Sequence, residues 1–293
     1  MTQAKARQAP AAAAGVLWLG GDLEVARMGF GAMRITGEGI WGEPADAAAA
    51  RSVVRRAAEL GVNFIDTADA YGPAVSERLL REALHPYAHG MIVSTKGGMT
   101  RSGPNRWTAD CSPEHLRAAC QASLRNLKME RHDVYQLHTV DAKVPYEDSI
   151  GELARMRNEG KIRHVGVSNV NVEQLALARS IVPVVSVQNR YNVADRSSEP
   201  VLLECERSAI AFIPWAPLAQ RAVATETPDP RVAALQVVAT ERGISIHQAN
   251  IAWLLAKSTV MLPIPGTSRV KHLEENVAAA SIRLTAAEMQ RIG

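Results

Sequence analysis

The chain has 293 residues, 47% hydrophobic, 22% charged and 4% aromatic, with a formal net charge of +3. That length suits one large α/β domain or two ordinary ones, with a core that needs no metal or disulfide staple. Lys and Arg are scattered among acids rather than gathered in a stripe, which argues against a nucleic-acid partner. No apolar run approaches the ~20 residues of a membrane helix. Cys111, Cys120 and Cys205 cannot all pair and none stands at a zinc-ligand spacing, which points to a reducing, cytoplasmic setting. Asp69 and Asp141 have no companion His or carboxylates at ligand spacing, so no metal is expected.

Residues 1–14 are rich in Ala and Gln and lack the apolar stretch of a secretion signal. They read as a disordered tail before a single domain over 15–293. Two short runs, Val16–Leu19 and Leu23–Ala26, flank Gly20-Gly21-Asp22, a hairpin signal. From Gly29 onward an apolar run, a polar loop and an amphipathic stretch follow one another eight times. The runs are 30–33, 62–65, 91–94, 134–137, 162–167, 184–187, 210–213 and 260–264. Helices are predicted over 45–60, 76–84, 113–126, 147–158, 172–178, 199–206, 231–241, 247–256 and 270–280. Asp46 caps the first, and Gly61 ends it. Ser112 caps the third, with Pro113 at its first position.

Strands alternating with helices, with no linker between them, call for a parallel sheet. Eight units suit a closed (β/α)8 TIM barrel, with the N-terminal β-hairpin closing its bottom. A doubly wound sheet is the competing fold. Its GxGxxG fingerprint is missing where it belongs, at Gly29-Phe-Gly31-Ala-Met33-Arg34.

Barrel sites are built at the C-terminal ends of the strands. Those ends carry Asp66, Thr67, Asp69 and Tyr71, then Lys96, His138, Ser168-Asn169 and Gln188-Asn189. Singly, each has a plain alternative: Asp66 as a cap, Lys96 as a solvated tip, His138 as a core histidine. Together they form a proton-transfer set. A tyrosine with a pKa near 10 is a weak acid at neutral pH, and a buried ammonium beside it would lower that value. A carboxylate can hold the lysine charged, and a neutral imidazole can orient a carbonyl.

The segment Gly61-Val-Asn-Phe-Ile-Asp66-Thr-Ala-Asp-Ala-Tyr71-Gly72 resembles the signature of the aldo-keto reductase family. So do Lys96 after Ile92-Val-Ser-Thr and His138 in Asp133-Val-Tyr-Gln-Leu-His138. Gly160 through Asn169 is similar to the family's fifth strand, Gln188-Asn-Arg-Tyr-Asn to its sixth and Ile213-Pro-Trp215-Ala-Pro217-Leu218 to its seventh. Pro263 through Asn276 is similar to its phosphate-and-adenine segment. The Gly266-Thr267-Ser268 and Trp215 forms resemble the bacterial branch. The loops at 29–46 and 71–87 look like those of pyridoxal reductases.

The resemblance implies a role for each residue. Tyr71 would donate the proton, Lys96 and Asp66 would tune it, and His138 would orient the carbonyl. Ser168, Asn169 and Gln188 would hold the nicotinamide carboxamide, and Trp215 would stack on its ring. Pro217 and Leu218 would line the cofactor. Gly266, Thr267, Ser268 and Arg269 would hold the adenosine phosphate, and Glu275 and Asn276 would reach the adenine. Ser268 and Arg269 at a helix start suit a 2′-phosphate, favouring NADPH over NADH.

Trp41 and Trp107 fall in predicted top-face loops and are candidates for the substrate cleft. The loop 97–112 is long enough to be functional, and 219–230 is placed to fold over a cofactor. Trp18 and Trp253 read as packing residues. The reaction expected is reduction of a small-molecule aldehyde or ketone. Two other readings are a Schiff-base lyase using Lys96 and a cofactor-binding regulatory module with little turnover. The sequence specifies no oligomeric state.

Overall fold

Alternation along the strands builds the architecture. Phe64 and Asp66, then Ile92, Ser94 and Lys96, then Val134 and Gln136 face one way, while Ile65, Val93, Tyr135 and Leu137 face the other. Strand residues therefore alternate between an inner layer and an outer layer under helices, as buried parallel strands must. The computed structural model describes residues 9–219 and 229–293.

The strands are β1 (Val16–Leu19), β2 (Leu23–Ala26), β3 (Phe30–Gly31), β4 (Phe64–Asp66), β5 (Ile92–Gly97) and β6 (Met99–Gly103). They continue with β7 (Arg106–Ala109), β8 (His132–Leu137), β9 (Ile162–Ser168), β10 (Val184–Arg190) and β11 (Ala211–Trp215). The first helices are α1 (Ala47–Glu59), α2 (Val75–Leu84), α3 (Pro113–Leu127), α4 (Tyr146–Asn158) and α5 (Val172–Ile181). The rest are α6 (Glu199–Arg207), α7 (Pro230–Glu241), α8 (Ile246–Lys257), α9 (Val270–Ala278) and α10 (Ala286–Ile292).

Seven strands form one parallel sheet in the order β3-β4-β5-β8-β9-β10-β11. Every crossover steps to the next neighbour, so the order never reverses as it does in a doubly wound sheet. The result is a curled, TIM-barrel-like α/β fold.

The expected eighth strand does not form a ladder. Residues 260–264 make one isolated bridge, Phe212 with Met261. Pro263 and Pro265 lack the N–H groups that a ladder uses. The segment still links both sheet edges: Leu262 N donates to Phe212 O at 2.8 Å, and Gly29 N to Pro263 O at 2.9 Å. Arg27 adds side-chain bonds to Leu255 O at 2.9 Å, Met261 O at 3.2 Å and Ser258 O.

The interior divides by height. Phe64, Ile92, Val134, Val185, Ala211, Ile213 and Leu262 make an apolar cluster with Leu19, Leu23 and Val25 of the β1–β2 pair. Above it lie polar groups: Ser94, Lys96, Asp66, Gln136 and Gln188. A register shift between Val184 and Ser186 on β10 lets Val185 join the lower layer and Gln188 the upper.

Local signals act where expected. Asp46 accepts from Ala49 N at 2.9 Å, Gly61 follows α1 at φ 87°, and Ser112 accepts from His115 N at 3.3 Å. Three readings differ. The described end of the predicted tail is ordered: Pro10–Ala14 is a 3-10 helix with Ala11 and Ala14 buried, and Ala11 N donates to Leu60 O at 3.0 Å. Small alanines there fill a gap against α1 and α9, which composition alone reads as tail. Trp18 is 56% exposed, because β1 turns Leu19 inward and its neighbour outward; Trp253 is fully buried. The loop 97–112 contains the antiparallel pair β6–β7. Of the loop 219–230, residues 220–228 lie outside the described residues.

Candidate active site

The upper barrel layer centres on Asp66. Lys96 Nζ donates to its Oδ2 at 2.7 Å and to Thr67 O at 2.7 Å. Gln188 Nε2 donates to Asp66 Oδ1 at 2.8 Å, and Gln136 Nε2 reaches the same oxygen at 3.3 Å while donating to Ser94 Oγ at 2.8 Å. A buried ion pair persists only with its remaining lone pairs and protons satisfied, and these amides do that.

Tyr71 lies beside Lys96, whose Nζ stands 5.2 Å from the ring centroid. Burial raises the Tyr71 pKa and the Lys96 ammonium lowers it; burial prevails, so the phenol sits above its ordinary value. The lysine therefore moderates the rise rather than producing the net fall that sequence reasoning predicts. For Lys96, burial works against the charge, but Asp66 and Tyr71 outweigh it and raise its pKa. His138 is held well below the ordinary imidazole value, first by burial and then by Lys96 and Arg101. It is neutral, and its Nδ1 is buried without a partner among the described residues.

The mouth above these groups is aromatic. The Tyr71 ring packs edge-on to Trp107 at 6.3 Å and to His138 at 5.8 Å between centroids. Trp107 lies 6.2 Å from His138. Trp41 bridges to Gly72 at the same rim, and Arg101 lies between the two indoles.

The remaining predicted residues flank this mouth. Ser168 Oγ donates to Gln188 O at 2.7 Å, and Asn169 Nδ2 donates to His138 O at 3.0 Å. Asn169 adopts φ 58°, and its Oδ1 accepts from Trp215 Nε1 at 2.9 Å, fixing the indole. The Gln188 amide nitrogen is committed to Asp66. Pro217 O accepts from Asn250 Nδ2 at 2.8 Å, and Leu218 is buried. Gly266 approaches Gly31 so closely that a Cβ would lie 2.5 Å from Gly31 O. Thr267 is buried and accepts from Arg269 N at 3.1 Å; Ser268 and Arg269 are exposed at the start of α9, which has no side-chain cap. Glu275 is half-buried on α9, and Asn276 is buried beside it. This trail of open helix N–H groups, hydroxyl and guanidinium suits a phosphorylated cofactor reaching from the mouth to α9.

The profile of the aldo/keto reductase family matches residues 27–293. This chain belongs to the aldo/keto reductase family. It is 51% identical over 265 residues to an uncharacterized oxidoreductase, C215.11c, of Schizosaccharomyces pombe, covering 90% of this chain and 85% of the relative. It is 40% identical over 271 residues to pyridoxine 4-dehydrogenase of Escherichia coli, covering 90% and 93%. The glycerol dehydrogenase AKR11B4 from Gluconobacter oxydans shares the fold, with a TM-score of 0.85 at 24% identity over 95% and 94% of the two chains. This aldo/keto reductase is an NAD(P)H-dependent oxidoreductase, and carbonyl reduction is its chemistry.

Several residues of this aldo/keto reductase escaped sequence reasoning. Gln136 is one, although it stands on β8 two residues before His138, which follows the strand directly, and so points the same way. Asp69 was legible as a strand-end residue but its state was not: its carboxyl is buried with Oδ1 unpartnered among the described residues, and burial, then Glu77, raises its pKa well above its ordinary value. Glu77 is buried on α2 and accepts from Thr95 Oγ1 at 2.6 Å and Asn126 Nδ2 at 2.9 Å. Arg101 had no signal at all, because nothing in the sequence says which carbonyls it would meet. Among the described residues no cluster of three His, Cys, Asp or Glu could hold a metal, and no helix is long and apolar enough to cross a membrane.

Proposed function

We propose that this reductase converts an aldehyde to an alcohol with NADPH, Tyr71 donating the proton, and that pyridoxal-like aromatic aldehydes are its substrates. The reading rests on one arrangement: a phenol, a carboxylate-held ammonium and a neutral imidazole meet under a single mouth. The nicotinamide, when bound, supplies the hydride. Neutral His138 orients the carbonyl oxygen by a hydrogen bond, which a protonated ring would turn into proton competition with Tyr71. Tyr71 keeps its proton until negative charge develops on that oxygen. Lys96 then stabilises the phenolate, with Asp66 and the two glutamine amides holding the ammonium in place.

Trp215 would cover the nicotinamide ring, with Ser168, Asn169 and Gln188 at its edge. Arg269, Ser268 and the open start of α9 favour the 2′-phosphate, and the pyridoxine 4-dehydrogenase relative favours the substrate class. Trp41 and Trp107 would line the cleft. The hairpin β1–β2 is read as the bottom closure of one cytoplasmic barrel domain. A Schiff base on Lys96 is disfavoured, since its raised pKa keeps the amine protonated and non-nucleophilic.

The test is a fluorescence titration with NADPH and NADH, followed by NADPH oxidation with pyridoxal and a carbonyl panel. Tyr71→Phe should lower kcat by about 10²–10⁴-fold while the titration is unchanged. The reading fails if neither cofactor binds below about 1 mM, or if Tyr71→Phe turns over like the parent.

A further inference from the structure

Arg101 on β6 makes five side-chain hydrogen bonds, all to main-chain carbonyls: Nε to Arg106 O at 3.0 Å, Nη1 to Ile40 O at 2.7 Å and Ala70 O at 3.1 Å, Nη2 to Gly39 O at 2.9 Å and Gly103 O at 3.2 Å. A guanidinium has five N–H groups, so none remains for a ligand. Its acceptors come from three separate pieces of chain: the loop at 39–40, the turn before Tyr71 and the β6–β7 hairpin. Its flat face lies 3.6 Å from the Trp107 ring centroid, and Trp41 is 5.8 Å away on the same group. The hairpin tip also seats on Gly39, where Asn105 N donates to Gly39 O at 2.9 Å and a Cβ would lie 2.7 Å from Pro104 Cβ.

We propose that Arg101 is a positioning residue that sets substrate choice: it staples the three segments into one wall and holds the Trp107 indole against Tyr71, so that the mouth selects flat carbonyl compounds. This role for Arg101 presupposes the reductase activity proposed above. A lysine could keep the charge, but its ammonium has three donors and no planar face, so it could neither complete the staple nor stack on the indole. An arginine at a mouth invites an anion-receptor reading; here every donor is already taken by carbonyl oxygens.

The test compares kcat and KM of the full chain with NADPH on benzaldehyde, 4-formylbenzoate and propanal, for the parent, Arg101→Lys, Trp107→Ala and the double variant. Arg101→Lys should raise KM for benzaldehyde about tenfold more than for propanal, with the smaller effect on kcat. Trp107→Ala should do the same, and the double variant should add little to either, because both act through one wall. NADPH fluorescence titration checks that each variant is folded. Equal losses on benzaldehyde and propanal would reduce Arg101 to a general structural role and overturn the proposal. A selective loss on 4-formylbenzoate would make it an anion receptor and also overturn it. If Arg101→Lys does not bind NADPH, Trp107→Ala decides alone, and an unchanged benzaldehyde-to-propanal ratio sinks the idea. A parent that binds NADPH but reduces none of the three aldehydes refutes the reductase reading itself, and this inference with it.

Discussion

At Tyr71 two forces oppose each other: burial holds the proton on and the Lys96 ammonium draws it off. The acid form persists beyond its ordinary value of 10, while His138 stays neutral from well below 6.5 upward. Reduction needs a protonated phenol and an unprotonated imidazole. Loss at high pH therefore waits for Tyr71, and loss at low pH waits for His138 to gain a proton below its depressed value. The pH profile of kcat/KM for reduction should be flat between about pH 6 and pH 9. An acid limb centred near the ordinary imidazole value, and absent in His138→Gln, would refute the neutral role of this ring. Asp69 gives a second residue-scale test. Its carboxyl has a raised pKa in the folded chain, so the fold binds a proton that the unfolded chain releases above 3.8. Stability from this group is present below that value and is lost as pH rises toward the folded pKa. Asp69→Asn removes the charge without changing shape. Its Tm gain over the parent should grow from about pH 4 to about pH 8, as read by thermal unfolding; a gain independent of pH would mean that Asp69 is already ionised at no cost.

Among the elements, the proline-interrupted segment 260–264 links the two edges of the sheet by a few main-chain hydrogen bonds. It joins β11 to the chain entering β3, then delivers Gly266 against Gly31. There is no room for a Cβ at Gly266, where the obstacle is the main-chain oxygen of Gly31 at 2.5 Å. Backbone cannot swing aside as a flexible side chain can, so Gly266→Ala must displace the segment that leads into α9. The expected outcome is about a tenfold or greater rise in the NADPH dissociation constant, with benzaldehyde KM at saturating cofactor less affected. Unchanged NADPH binding would detach this segment from the cofactor. The β6–β7 hairpin shows the opposite case, an added element that contributes nothing to the barrel sheet and lies wholly at the mouth.

Across the whole molecule, the inside of the curled sheet is divided into an apolar layer and a polar, chemical layer, while larger apolar clusters lie between the strands and the helices. The apolar layer packs Leu19, Leu23 and Val25 with Phe64, Ile92 and Val134; the polar layer holds the ion pair and its amides. Leu19→Ala should cost about 2–5 kcal/mol by denaturant unfolding, while kcat/KM at 25 °C remains close to the parent's. A large catalytic loss without unfolding would show that the two layers are coupled. The strand–helix alternation, the caps at Asp46 and Ser112, and the strand-end residues Asp66, Lys96 and His138 were all legible in the sequence. Each depends on short-range spacing, on the period of a strand or helix, or on a single turn. The tertiary structure alone decided other matters. It reduced the eighth strand to a bridge, ordered Pro10–Ala14 against α1, made Gln136 and Gln188 partners of Asp66, and let burial outweigh Lys96 at Tyr71. It also brought the carbonyls of Gly39, Ala70 and Arg106 to one guanidinium. These outcomes depend on distances between segments far apart in the chain and on how much water reaches a charge. Neither quantity exists until the sheet has curled and its helices and loops have packed.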